Sequence, residues 1–292
     1  MLVNRMKAPR LLLCTDMDRT IIPNGVQIEH EYAHEAFSEF CKLPNVTLVY
    51  VTGRHEGLVR QAINDYALPQ PDYTISDVGT RIYRIKDQQW HVLDTWEAEI
   101  DSDWNGYNHE QVEALLNDLL LLQPQELSKQ NCHKLSYYVS LDVEIEDLLV
   151  EIKSRLDEFA VKANLVWSID EEKSIGLLDV LPRSASKLQA IDFLREQLGY
   201  AIDEVIFAGD SGNDLSVLIS TIPSVLVANA TDEVCQAAQT QTKINGNHDT
   251  LYVATGENTN MNGNYASGVL EGIHHFAPAF RGHLKQAGFY YE

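Results

Sequence analysis

An apolar run, Leu11-Leu12-Leu13-Cys14, leads into Asp16-Met17-Asp18-Arg19-Thr20. Two carboxylates at i and i+2 leave a strand on the same face. Repulsion and desolvation make such a pair costly beside a buried strand unless something uses both charges. The chemical reading is one Asp as nucleophile and the other as acid/base, with a divalent cation between them. The plainer reading is a turn or a helix N-cap. The apolar run itself suits a strand of a parallel sheet covered on both faces.

Other segments repeat the design. Val46-Thr47-Leu48-Val49-Tyr50-Val51 ends in Thr52-Gly53-Arg54, and Val205-Ile206-Phe207-Ala208 ends in Gly209-Asp210-Ser211-Gly212-Asn213-Asp214. Val225-Leu226-Val227-Ala228 is a third strand-like run, and Leu188, Ile191, Leu194 and Leu198 are spaced as on a helix. Alternating β and α elements predict a doubly wound α/β sheet. Ligands of such sheets bind outside the carboxyl ends of the strands. The polar clusters all fall at those ends, so they are expected to converge.

Four clusters in this order resemble the haloacid-dehalogenase (HAD) superfamily of phosphotransferases. Asp16-x-Asp18-x-Thr20, Thr52-Gly53-Arg54, Lys187 and Gly209-Asp210-Ser211-Gly212-Asn213-Asp214 are similar to its four motifs. Within it, the chain resembles sucrose-phosphate phosphatases and sugar-phosphatase relatives with a type IIB cap. The looser supporting segments are Asp77 to Tyr83, Lys134 to Tyr137, Asp179 to Arg183 and Gly268 to Glu271. Arg19 departs from the small or amide residue that many relatives carry beside the nucleophile.

The resemblance implies a role for each motif residue. Asp16 attacks phosphorus and forms an aspartyl-phosphate, which splits one hard displacement into two. Asp18 protonates the leaving sugar oxygen and then activates water. Mg²⁺ is the implied cofactor, held by Asp16, the backbone of Asp18 and Asp210; it relieves a repulsion of roughly 4 kcal/mol between charges about 4 Å apart. Asp214 and Asn213 stand behind, orienting a water or Lys187. Thr52, Gly53 and Lys187 bind the phosphate, and Arg54 pairs near it. The helix-capping alternative for Asp210 and Asp214 remains open at this level.

Residues 1–84 and 182–292 are expected to form the catalytic core, and 85–181 an inserted, smaller α+β cap that selects the substrate. Helices are expected over Gln111–Leu122 and Ile145–Phe159, with strands at Leu135–Val143 and Leu165–Ile169. His133, Lys134, Ser136 and Tyr137 are candidate sugar contacts, as are Arg183 near the hinge and His55 after the second motif. A solvated strand face competes with that reading. Trp90, Trp96 and Trp104 are expected to serve packing. Asn245 to Gly263 reads as loop with one short strand at Leu251-Tyr252-Val253.

The net charge of −21, from 22 basic and 43 acidic residues, speaks against nucleic acid or an anionic membrane as partner. It also means that the site must supply its own positive charge. Hydrophobic content of 45% and charged content of 22% are globular values. Four cysteines without a C-x-x-C pairing suggest reduced thiols in the cytoplasm. No signal peptide or membrane span is expected. The expectation is a monomeric, Mg²⁺-dependent sugar-phosphate phosphatase, with sucrose 6-phosphate as the favoured substrate. Other glycosyl phosphates, such as mannosylfructose or glycosylglycerate phosphate, are alternatives. So are a phosphomutase of the same fold and a non-catalytic regulatory module. A glycosyltransferase of the sucrose-phosphate synthase type is the expected protein partner.

Overall fold

The computed structural model describes residues 8–170 and 173–291. Its larger sheet contains β1 (Leu11–Thr15), β2 (Val46–Val51), β3 (Tyr73–Ser76), β4 (Arg81–Lys86) and β5 (Gln89–Val92), with β10 (Val205–Gly209), β11 (Ser224–Leu226) and β12 (Leu251–Val253). The order is β12-β11-β10-β1-β2-β3-β4-β5. The six strands from β12 to β3 are parallel, and β4 and β5 add an antiparallel edge. The smaller sheet is wholly antiparallel, in the order β6 (Gln123–Pro124), β7 (Leu135–Val139), β9 (Ile175–Pro182) and β8 (Ala163–Asp170).

All of β1 is buried, and its alternate side chains feed two cores. Leu11 and Leu13 pack with Phe37 and Phe40 of α1 (Ala33–Cys41), Val59 and Ile63 of α2 (Glu56–Asp65), and Leu270 and Ile273 of α9 (Ala266–Phe276). Leu12 and Cys14 pack on the opposite face with Trp96 and Ile100 of α3 (Asp94–Asp101) and Ile191 and Leu194 of α6 (Lys187–Gln197). Val217 and Leu218 of α7 (Leu215–Leu218) and Ala238 of α8 (Asp232–Asn245) complete that layer. Helices on both faces make the doubly wound α/β arrangement that the uninterrupted apolar run predicts. Strand β1 lies between β2 and β10, where the winding reverses, so the loops after these three strands open into one crevice.

The smaller sheet has its own core. Leu135, Tyr137 and Val139 of β7 and Leu178 and Val180 of β9 meet Leu148, Ile152 and Leu156 of α5 (Ile145–Glu158). Trp104, Leu116 and Leu122 close it.

Several boundaries differ from the sequence expectation. Residue 85 is not a division point: it lies inside β4, and β5 and α3 stay with the larger sheet through hairpin pairing and the buried Trp96. The expected helix over Gln111–Leu122 is only α4 (His109–Ala114), capped by reciprocal bonds between Asn108 and Gln111. The chain then turns, which lets both Leu116 and Leu122 reach the core. The expected strand Leu135–Val143 ends at Val139. The run Val225–Ala228 is a strand over Ser224–Leu226.

Gly79 links the sheet to the start of α6. It has φ +95°, and a Cβ there would lie 2.5 Å from the carbonyl carbon of Ser186. Both facts favour glycine. Gly79→Ala is expected to cost at least about 1 kcal/mol, seen as a loss of several °C in Tm. An unchanged Tm in a thermal melt would show that the Ser186 backbone yields freely.

Candidate active site

The ends of β1, β2 and β10 and the N-terminus of α6 place the four motif clusters together. The backbone N–H of Asp16 donates to the Ala208 carbonyl at 2.8 Å, which ties the first motif to β10. Ser186 caps α6 by accepting from the Gln189 N–H, so Lys187 is in its first turn. The Lys187 ammonium is buried and donates to Asp16 Oδ1 at 3.0 Å, Asp214 Oδ1 at 2.7 Å and Asn213 Oδ1 at 3.0 Å. A cation in the first turn opposes the helix dipole by roughly 0.3–1 kcal/mol. The buried carboxylates outweigh that.

Asp214 stands at the N-cap of α7 without a side-chain bond to that helix, and instead closes a capping box with Ser211 around the single turn Gly212–Asp214. Its second oxygen accepts from the Asp210 and Ser211 N–H groups and the Ser211 hydroxyl. Lys187 and these three donors engage both its oxygens. Asp16, Asp210 and Asp214 nonetheless have carboxylate oxygens within 4.8 Å of one another, all buried. Burial pushes Asp16 above the usual carboxylate range, and the charges of Asp214 and Asp210 add to it against Lys187. Burial, helped by Asp214, pushes Asp210 up to about 6, although Arg19 opposes this. Burial lowers the affinity of Lys187 for its proton, but Asp16 and Asp214 outweigh that and raise its pKa.

Arg19 occupies a position whose role the sequence left open. Its Nε donates to Asp210 Oδ2 at 3.1 Å and its Nη2 to the Asn229 carbonyl at 3.2 Å. Its backbone has φ +56°, held by the Arg19 N–H on Asn24 Oδ1 and the Asn229 amide on the Arg19 carbonyl. With all three buried carboxylates ionised, Lys187 and Arg19 neutralise two and leave one negative charge over. Hard oxygen donors with residual negative charge suit a divalent ion such as Mg²⁺. Asp16 and Asp210 would be the side chains to hold it: Asp214 accepts from four donors across both oxygens, whereas Asp16 accepts from Lys187 and Asp210 from Arg19 and, at 3.4 Å, the Thr20 hydroxyl.

Arg54 grips Asp18 with two parallel bonds, Nε to Oδ2 at 2.7 Å and Nη2 to Oδ1 at 2.6 Å. Burial alone would raise the Asp18 carboxyl, but Arg54, followed by Asn24, brings it below its ordinary value. Asp18 is thus held ionised. Thr52 is buried, and its hydroxyl accepts the Arg54 N–H at 3.1 Å. The neighbouring loop is pinned by Val78 N–H to the Thr52 carbonyl at 3.2 Å and Asp77 N–H to the Arg54 carbonyl at 3.0 Å. Val78, with φ +60°, is in a conformation that β-branched residues rarely adopt.

Two adjoining chambers with bordering residues in common lie over these groups. A small one of about 320 Å³ touches Asp16, Asp18, Arg19, Thr52 and Asp210. A larger one of about 750 Å³ runs from Lys187 and Asp77 to Gln125, Lys129, Lys134 and Asp179 of the smaller sheet. Gly53, Arg54, Leu58, Ser211 and Asn213 border both. His55 also lines the larger one.

The cap-side expectations divide. Lys134 lines the cleft and is buried, with Nζ 3.8 Å from both Asp77 and Asp179; it is not a solvated surface lysine. Ser136 is not among the lining residues, because its hydroxyl is committed to Asp179 Oδ1 and the Lys129 carbonyl. Tyr137 is on the opposite face of β7, inside the cap core. Arg183 is exposed and is not among the lining residues. His133 faces Asp101 rather than the cleft. The sequence reading missed Gln125 and Lys129. Neither has a motif signal, since they come from the irregular stretch around β6. Trp96 and Trp104 are buried, and Trp90 stacks under Arg60, so none of the three lines the cleft.

A family model for sucrose-6F-phosphate phosphohydrolase matches residues 9–277. The chain belongs to this family of HAD-superfamily phosphatases. It is 44% identical over 272 residues to a HAD-like hydrolase of Nitrosococcus oceani, covering 93% of this chain and 73% of that one. It is 29% identical to the mannosylfructose-phosphate phosphatase of Agrobacterium fabrum, covering 92% and 97%. It is 28% identical to sucrose-phosphatase 2 of Nicotiana tabacum, where the match covers 78% of this chain but only 52% of the tobacco protein. The solved sucrose-phosphatase of Synechocystis shares the fold, with TM-score 0.70, 24% identity and coverage of 92% and 98%. Among the described residues, no helix is long and apolar enough to cross a membrane.

Lys187→Met keeps the length of the side chain but leaves Asp16 and Asp214 buried without their cation. It should cost about 3–5 kcal/mol of stability in chemical denaturation. Adding Asp214→Asn should recover part of the loss. If the double variant is no more stable than the single one, the pair is not what holds these elements together.

Proposed function

We propose that this phosphatase hydrolyses the phosphate monoester of a small glycoside, with Mg²⁺ as cofactor and Asp16 as nucleophile. Sucrose 6-phosphate is the favoured substrate. The observation that carries the reading is that the two chambers share a border, made by Gly53, Arg54, Leu58, Ser211 and Asn213. Asp16, Asp18, Thr52 and Gly53 line the small one, and Lys187 with polar residues of the smaller sheet lines a larger one sized for a disaccharide.

In this reading the phosphoryl group enters the small chamber. The Thr52 hydroxyl, the Gly53 N–H and Lys187 bind its oxygens and orient phosphorus toward Asp16. Phosphoryl transfer asks mainly for positioning and charge stabilisation. Asp16 and Asp210, with the Asp18 backbone, would hold Mg²⁺, which would neutralise phosphate and carboxylate charge when bound. An arriving phosphate competes for Arg54. As that guanidinium turns toward it, Asp18 loses the cation that holds it ionised. Asp18 can then take up a proton from solvent, give it to the departing sugar oxygen, and as the carboxylate so formed take one from the attacking water. Asn213 and Asp214 keep Lys187 aimed at Asp16 throughout.

The sugar would lie in the larger chamber between Lys134, Gln125 and Asp179. Both a sucrose-phosphatase and a mannosylfructose-phosphate phosphatase are among the relatives. The second keeps another fructose-containing disaccharide phosphate in view.

Asp16→Asn is expected to abolish phosphate release while leaving the fold intact, because it removes one of three crowded carboxylates. Excess EDTA should stop the wild-type enzyme, and Mg²⁺ should restore it. Undiminished release in EDTA would overturn the metal assignment. Lys134→Met should raise KM for sucrose 6-phosphate about 10- to 150-fold, the loss of a charged hydrogen bond. A small aryl phosphate should be nearly unaffected. Equal losses on both substrates, or on neither, would remove Lys134 from sugar recognition.

A further inference from the structure

A second group of metal-type donors lies away from the phosphate site, where the cap meets the core. Glu97 projects from α3, which buries Trp96 and Ile100 in the core of the larger sheet. Cys132 and His133 lie in the segment that leads into β7 of the smaller sheet. The Glu97 carboxylate, the Cys132 thiol and the His133 ring each offer one atom, all within 4.8 Å of one another. Cys132 Sγ is 3.3 Å from His133 Nδ1 and 3.9 Å from Glu97 Oε1. Tetrahedral zinc, with a sulfur bond of about 2.3 Å and nitrogen or oxygen bonds of about 2.0–2.1 Å, sets its ligands roughly 3.6 Å apart. The two separations bracket that value.

The orientation of the histidine supplies an independent argument. His133 Nε2 lies 3.0 Å from Asp101 Oδ1. A carboxylate only accepts, so Nε2 carries a proton, and in the neutral ring the Nδ1 lone pair is turned toward Cys132 Sγ. A carboxylate behind a histidine is the usual support of a metal ligand, fixing both its tautomer and its direction. His133 is buried, with its ring 5.7 Å from that of Trp104, so packing also holds the ring.

We propose that Glu97, Cys132 and His133 form a binding site for a borderline-soft divalent cation such as Zn²⁺, and that the bound ion clips the cap to the core. A thiolate, an imidazole and one carboxylate suit zinc. They do not suit Mg²⁺, which takes oxygen ligands. Arg81 on β4 supplies the counter-charge in the metal-free protein. Its Nη2 is 3.2 Å from Cys132 Sγ and its Nε 3.4 Å from Glu97 Oε1. Metal binding therefore exchanges one cation for another, and Arg81 must swing out as the ion enters.

The test uses the full chain, reduced, in excess Mg²⁺ so that the buried carboxylate site is filled. Co²⁺ titration should give a thiolate-to-cobalt charge-transfer band that saturates at one equivalent and is bleached by Zn²⁺. Cys132 is exposed, so Cys132→Ser should fold; it should lack the band, and Cys235→Ser should keep it. Asp101→Ala should weaken binding by about 10- to 100-fold. Zn²⁺ should raise the Tm of the wild type and leave that of Cys132→Ser unmoved. No band in the wild type, or a band that survives Cys132→Ser, overturns the site. Undiminished binding by Glu97→Ala overturns the clip, since the core would then contribute no ligand.

Discussion

Lys187 is a buried ammonium that bonds to two carboxylates from different strand ends, and the rest of the site is arranged around it. Taking three charges out of water is costly, and it succeeds only when each is matched by well-placed partners. The partners come from three places in the chain: Asp16 after β1, Asn213 and Asp214 after β10, and the capped first turn of α6. The close approach of Gly79 to Ser186 sets where that turn begins. Any change that moves one of these elements strands a charge in the interior. Asp16 is thereby held in one place by its partners.

The local charge around this point opposes that of the whole molecule. A chain of net charge −21 repels an anionic substrate at long range. Within the cleft, Lys187, Arg54, Lys129 and Lys134 line the larger chamber, and Arg19 borders the smaller one. Two of these cations are already in use, Arg54 on Asp18 and Arg19 on Asp210. An anion entering the cleft would therefore compete with Asp18 for Arg54, and a cation near Asp210 with Arg19.

The cap contributes through one face of a thin sheet. Alternation along β7 sends Leu135, Tyr137 and Val139 into the cap core and leaves Lys134 and Ser136 on the cleft side. Ser136 then bonds Asp179, which stands opposite it on β9, and Asp179 lies 3.8 Å from Lys134. Ser136 thus acts on the cleft through Asp179, not by direct contact. Tyr137 stands next to it in sequence, yet is on the other side of the layer.

The local pattern of the chain determined the strands, the polar clusters at their ends and the convergence of those clusters. Apolar runs flanked by turn residues have few folds open to them, and a parallel sheet directs all its carboxyl ends to one edge. That is why Asp16, Thr52, Lys187 and Asp210 were legible before any coordinates. The cap was less so. Tyr137 and Arg183 matched their family segments, but strand parity and the course of the chain after β9 turned them from the cleft. Gln125 and Lys129 carry no pattern and reach the cleft only because the sheet order brings β6 beside β7. Tertiary structure alone decided the pairing of Arg19 with Asp210 and of Arg54 with Asp18, and the meeting of Glu97 with Cys132 and His133. Each joins residues 35 or more positions apart, and contacts across such a separation follow from packing rather than from sequence spacing.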